Sequence, residues 1–91
     1  LHGIGNRRCA MQMIYNSPAY SVLELAGADG EPRGLEIVDK FSRREVFLEG
    51  RLAQVFRDGV MLTASQSPSV EALDGYIGRF EGLMLHPLAL H

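Results

Sequence analysis

Ninety-one residues suffice for one domain with one modest core, because a chain of this size buries only roughly 60 to 65 % of its unfolded surface, and they leave no room for a second domain. A composition of 46 % apolar and 22 % charged residues excludes a disordered or fibrous chain. The formal net charge of −2 argues against general nucleic-acid binding, which needs a basic face to neutralise phosphates, and no segment approaches the run of about 18 apolar residues that spans a membrane.

Residues 1–10, "LHGIGNRRCA", show no periodicity, and regular patterning starts at Met11. The expectation is a disordered leader, either a tag scar or an upstream extension, ahead of a single α+β domain over residues 11–91. "MQMIY" (near 11–15) and "YSVLELA" (near 20–26) are strand candidates joined by a hairpin turn at Asn16-Ser17-Pro18-Ala19. "GADGEPRG" is a loop, with three glycines, a proline and an Asp-Gly pair in eight residues. "LEIVD" (35–39) and "REVFLE" (44–49) alternate with period two, and Lys40-Phe41-Ser42-Arg43 between them has hairpin length.

After Gly50 the period changes to 3.6, and Leu52, Val55, Phe56, Gly59, Leu62 and Thr63 share one side of a helix expected over 51–65. Ser67 as N-cap and Pro68 at the first helical position would open a second helix over 68–84, with an apolar stripe of Val70, Leu73, Ile77, Phe80 and Met84. Pro87 ends it, and the tail "LMLHPLALH" should lie extended. The fold expected is therefore α+β: about four mainly antiparallel strands followed by an αα hairpin packed on one face. Helices on one side leave the other sheet face unexplained, because Val38 and Phe47 alternate away from Ile37, Val46 and Leu48. An apolar face of that kind usually marks an interface, and either homodimerisation through it or cover by the C-terminal tail would account for it.

Several residues invite a functional reading beside a structural one. Gly75, Gly78 and Gly82 fall opposite the apolar stripe of the second helix, where each costs about 1 kcal/mol relative to Ala; they either admit a partner's backbone or are simply tolerated. Asn16-Ser17-Pro18 is ordinary turn chemistry, yet Tyr15, Asn16, Ser17 and Tyr20 would also group hydrogen-bonding atoms at the sheet's end. Asp39, Arg43 and Arg44 meet at the second hairpin, either as a solvated turn or as a grip for a carboxylate or phosphate. His2, His86 and His91 have no acid or nucleophile at a recognisable spacing, so no catalytic residue is assigned and the chain is read as leaning away from an enzyme. No metal site or cofactor is expected either. Cys9 is the single cysteine, which rules out an intrachain disulfide and suits a reducing cytoplasm.

The blocks "MQMIYNSPAY", "EIVDK", "REVFLEG" with "LAQVF" after it, and "FEGLMLHPLALH" occur in an order that resembles a family of short betaproteobacterial proteins known as a domain of unknown function. The resemblance covers Met11 to His91 and implies a compact bacterial protein, without carrying any catalytic residue. The functional expectation is a cytoplasmic, non-catalytic binding or protein-interaction module acting as a homodimer, possessing an as yet unnamed protein partner at most besides itself. The alternative is a small-ligand-binding protein or enzyme using the Tyr15/Asn16/Tyr20 or the Asp39/Arg43/Arg44 end of the sheet.

Overall fold

The computed structural model describes residues 9–85, and the chain divides into two compact units between Ala53 and Gln54. Residues 1–8 of the expected leader, and the tail from residue 86 with His86, Pro87 and His91, lie outside the described residues. The architecture is α+β: a four-stranded antiparallel sheet followed by two helices.

The first unit is a meander of β1 (Cys9–Asn16), β2 (Tyr20–Gly27), β3 (Pro32–Asp39) and β4 (Arg44–Leu48), in the order β1-β2-β3-β4. β1 starts earlier than its sequence pattern suggests, because Cys9 and Ala10 pair with Gly27 and Ala26. β3 also starts early. Pro32 cannot donate to a ladder, but as the first residue of a strand it does not have to. The Asp-Gly turn is correspondingly short, closed by Gly27 N–H to Glu31 O at 2.8 Å and Gly30 N–H to Gly27 O at 2.9 Å.

Register places Leu35 and Ile37 beside Leu48 and Val46 on one side and beside Glu24 and Val22 on the other. Val22, Leu35, Ile37 and Leu48 on this face are closed off from water, each contributing about 1.5–3 kcal/mol by burial. The opposite face carries Met11 and Met13 from β1, Leu23 and Leu25 from β2, Glu36 and Val38 from β3, and Glu45 and Phe47 from β4. A bulge separates Met13, opposite Leu23, from Tyr15, opposite Val22. The extra residue, Ile14, thereby moves Tyr15 to the buried face and leaves Asn16 beside Ser21.

Gly50, at φ 63, takes the left-handed conformation that joins β4 to helix α1 (Gly50–Gln66). Along α1 the sequestered side overlaps only in part with the one that the periodicity selects, sharing buried Phe56 and half-buried Gly59 and Thr63. Ala53 and Phe56 are buried and Val60, Thr63 and Ala64 half-buried, whereas Leu52, Val55 and Leu62 are exposed. Apolar residues populate more than one side of this helix, so the stripe read from spacing is rotated from the one that the large Phe56 side chain anchors.

In the second unit α1 continues from Gln54 and is followed by α2 (Val70–Leu85). The start of α2 differs from expectation too: Ser69, not Ser67, is the N-cap, accepting the Ala72 N–H on its Oγ at 3.1 Å. Pro68 therefore lies in the connection, where Ser69 N–H bonds to Ser67 O at 2.8 Å. Phe56, Tyr76 and Phe80 form an aromatic cluster, with Phe56 and Phe80 edge to face at 4.9 Å between ring centroids and Phe56 and Tyr76 at 5.7 Å. Ile77 is buried with it, while Val70 at the start of the expected stripe is exposed.

Candidate functional site

Antiparallel order brings the β1–β2 and β3–β4 turns to the same end of the sheet, so Tyr15, Asn16, Ser17, Tyr20, Asp39, Arg43 and Arg44 all gather there. Tyr20 faces Asp39 across one ladder, and Asp39 faces Arg44 across the next. The Asn-Ser-Pro turn is held by its own serine: buried Ser17 accepts the Ala19 and Tyr20 N–H groups on Oγ at 3.2 and 3.0 Å, and donates its own N–H to Tyr20 O at 2.8 Å. Asn16 Oδ1 accepts from Ser21 Oγ at 2.8 Å.

Lys40, which spacing did not single out, joins the two turns. Its Nζ donates to Asn16 Oδ1 at 2.7 Å and to Ser17 O at 2.6 Å, and its backbone N–H donates to Ala19 O at 2.9 Å. Both side-chain partners lie more than 20 positions away in the sequence, 24 and 23 residues, so no local pattern marks this lysine. On the other turn, the buried Asp39 carboxylate accepts the Phe41 and Ser42 N–H groups at 3.2 and 3.1 Å. This fixes a tight loop in which Arg43 adopts φ 59, a left-handed conformation unusual for a residue with a side chain. Phe41 projects from the tip at 81 % exposure, with Arg43 and Arg44 exposed beside it.

The open sheet face is the second candidate. Met11, Met13 and Phe47 are exposed there, and Leu23, Leu25 and Val38 are half-buried. Phe47 lies over Gly34, where a Cβ would come within 2.8 and 2.9 Å of its ring. Glu36 sits among these side chains, and its carboxyl is pushed above the usual range by burial first and by the charge of, and hydrogen bond with, Glu45 second. Val38 and Phe47 thus occupy the face on which alternation put them.

Of the α2 glycines, Gly75 and Gly82 have no close neighbour among the described residues. A Cβ at Gly82 would meet nothing within 4 Å, one at Gly75 only the Arg79 guanidinium at 3.4 Å, and Gly78 is half-buried. The close approach falls instead at Gly59 on α1, where a Cβ would collide with the Tyr76 phenol. Burial raises the pKa of that phenol, with Arg79 opposing and Asp58 adding to the shift, so it remains a neutral donor toward Phe56 O at 3.5 Å. Among the described residues, no group of three or more His, Cys, Asp or Glu is placed to hold a metal ion, and no helix is long and apolar enough to cross a membrane.

The four-stranded sheet and the two helices define a short α+β protein, in which Met11, Met13 and Phe47 on one sheet face are exposed. The chain belongs to the family described as "Protein of unknown function (DUF3567)", whose model matches residues 11–91. It is similar to Protein BTH_I0359 of Burkholderia thailandensis, 45 % identical over 85 residues that cover 89 % of this chain and 100 % of that protein. No solved structure matches.

Proposed function

We propose that the chain is a non-catalytic protein-interaction module that acts as a homodimer in the bacterial cytoplasm. The observation that carries this reading is the open sheet face, where Met11, Met13 and Phe47 are exposed around half-buried Leu23, Leu25 and Val38. Contiguous apolar surface of this kind is rarely left in water by a protein that works alone. The cytoplasmic assignment rests on the single cysteine, which suits a reducing compartment. The alternative, a small ligand held at the turn end, draws less support because Asn16, Ser17, Lys40 and Asp39 there already bond to the chain's own turns. Light scattering coupled to size exclusion tests the homodimer: it should return twice the 10.0 kDa chain mass. A mass of one chain at every concentration up to the millimolar range would overturn the reading.

A further inference from the structure

We infer that the homodimer forms by antiparallel pairing of β1 with β1 of a second copy, extending the sheet to eight strands, and not by stacking the two open faces. This rests on the homodimer reading above and deepens it by naming the surface. The first argument is the difference between the sheet's two edges. β4 has five residues, begins with Arg44-Glu45 and is followed by Glu49, which is how natural sheets discourage strand addition. β1 has eight residues, "CAMQMIYN", none of them charged, and exposes Met11, Met13 and Ile14. An uncharged strand is self-complementary in the sense a two-fold requires, since no like charges meet when it faces its own copy. The bulge after Met13 limits the free ladder to the Cys9–Met13 part of the strand.

The second argument is where the charges lie on the open face. Met11, Met13, Leu23 and Leu25 occupy its β1 side, and Glu36 and Glu45 its β4 side, with no basic residue at any ladder position of this face. Stacking two such faces, about 10 Å apart, would enclose four carboxyl groups in one seam. Edge pairing does the reverse. The two-fold that relates antiparallel β1 strands runs perpendicular to the sheet, so it keeps each open face on the same side. Met11, Met13, Leu23 and Leu25 of both copies then form one continuous apolar strip, which edge pairing leaves exposed as the surface where the interaction module takes a protein partner. The two β3 strands are five strand spacings apart, so the Glu36 side chains are separated by roughly 24 Å at about 4.8 Å per spacing. That exceeds two Debye lengths of about 8 Å at physiological salt, and the pairs no longer repel appreciably. The charged β4 edges face outward, so the assembly closes at two chains.

Three full-length proteins test the inference by sedimentation equilibrium: the unaltered chain, the double variant Met11→Lys with Met13→Lys, and Phe47→Lys. All three side chains are about half exposed or more, so each variant should keep the unaltered far-UV circular dichroism. The double variant should weaken the dimer at least about tenfold in Kd, because it sets like charges beside one another across the two-fold. Phe47→Lys, on the far side of the same face, should change Kd by less than about threefold, which is under 1 kcal/mol. Weakening by Phe47→Lys alone would overturn edge pairing while leaving the homodimer standing. A dimer indifferent to both changes would overturn it too, and a monomeric unaltered chain would remove the reading beneath it. Amide hydrogen exchange gives a measure that needs no substitution: raising the protein concentration should slow exchange in Met11–Met13 and leave Arg44–Leu48 unchanged. Concentration-independent exchange in β1 of a dimeric sample would contradict the inference.

Discussion

Lys40 shows how one side chain can fix the geometry of two turns. Its ammonium bonds to two neutral oxygens, Asn16 Oδ1 and Ser17 O, rather than to a carboxylate. Hydrogen bonds from a charged donor contribute about 1.5–3 kcal/mol when buried, but Lys40 is exposed and water competes, so about 1 kcal/mol is the appropriate scale. Lys40→Met should therefore lower the unfolding free energy in urea by about 1 kcal/mol. Because the acceptors carry no net charge, the loss should be the same at low and at high salt, whereas an ion pair would be screened. A loss that vanishes in salt would show that Lys40 acts through some other, charged partner. The residue escapes sequence reading for a simple reason: its chemistry depends on β2 bringing residue 40 to residues 16 and 17. The turn residues beside it were legible because Asn, Ser, Pro and Asp shape the backbone nearest to them.

At the scale of elements, alternation in "LEIVD" and "REVFLE" was enough to assign β3, β4 and their two faces, since a period of two leaves a strand no freedom about which residues share a side. The bulge at Ile14 was not legible, because nothing in "MQMIYN" distinguishes a paired residue from an extra one. Helix α1 was legible as a helix but not in its rotation, as exposed Leu52, Val55 and Leu62 show. The start of α2 was ambiguous because serines stand at 65, 67 and 69, and each is a competent N-cap. The glycines of the two helices give opposite predictions for added methyl groups. At Gly82 a methyl group meets nothing within 4 Å among the described residues, so Gly82→Ala should stabilise the protein by about 0.5–1 kcal/mol through helix propensity alone. Gly59→Ala receives the same propensity gain, but its methyl group collides with a Tyr76 ring already packed against Phe56 and Phe80. Overpacking costs typically about 1–3 kcal/mol, so the net effect should be a loss of roughly 1–2 kcal/mol. In a Tyr76→Leu background the collision disappears, and Gly59→Ala should change from destabilising to neutral or stabilising. Chemical denaturation of the four proteins checks this, and additive effects of the two changes would deny the contact.

For the whole molecule, the open face makes stability depend on pH in a direction that can be worked out. Burial of the Glu36 carboxyl, followed by the charge of Glu45 and the hydrogen bond with it, raises its pKa in the folded chain above the reference value of 4.5. Folded protein therefore holds this proton more tightly than unfolded protein does, and Glu36 lowers stability as pH rises from 4.5 through the folded value. Below that window both states are protonated and the penalty is absent; above it the penalty is constant. Glu36→Gln keeps the shape and removes the charge, so its melting temperature should match the parent at pH 4 and exceed it at pH 7. Glu45→Gln should narrow the window without closing it, because it removes the neighbouring charge and leaves the larger cause, burial. Thermal denaturation across pH 4 to 8 gives all three profiles. The same titration also bears on assembly. If two chains meet edge to edge through β1, the Glu36 pairs stay far apart on a face open to water, and the step should be independent of protein concentration. Stacked faces would bury both pairs together, raise the folded pKa further and move the step toward higher pH as the dimer forms.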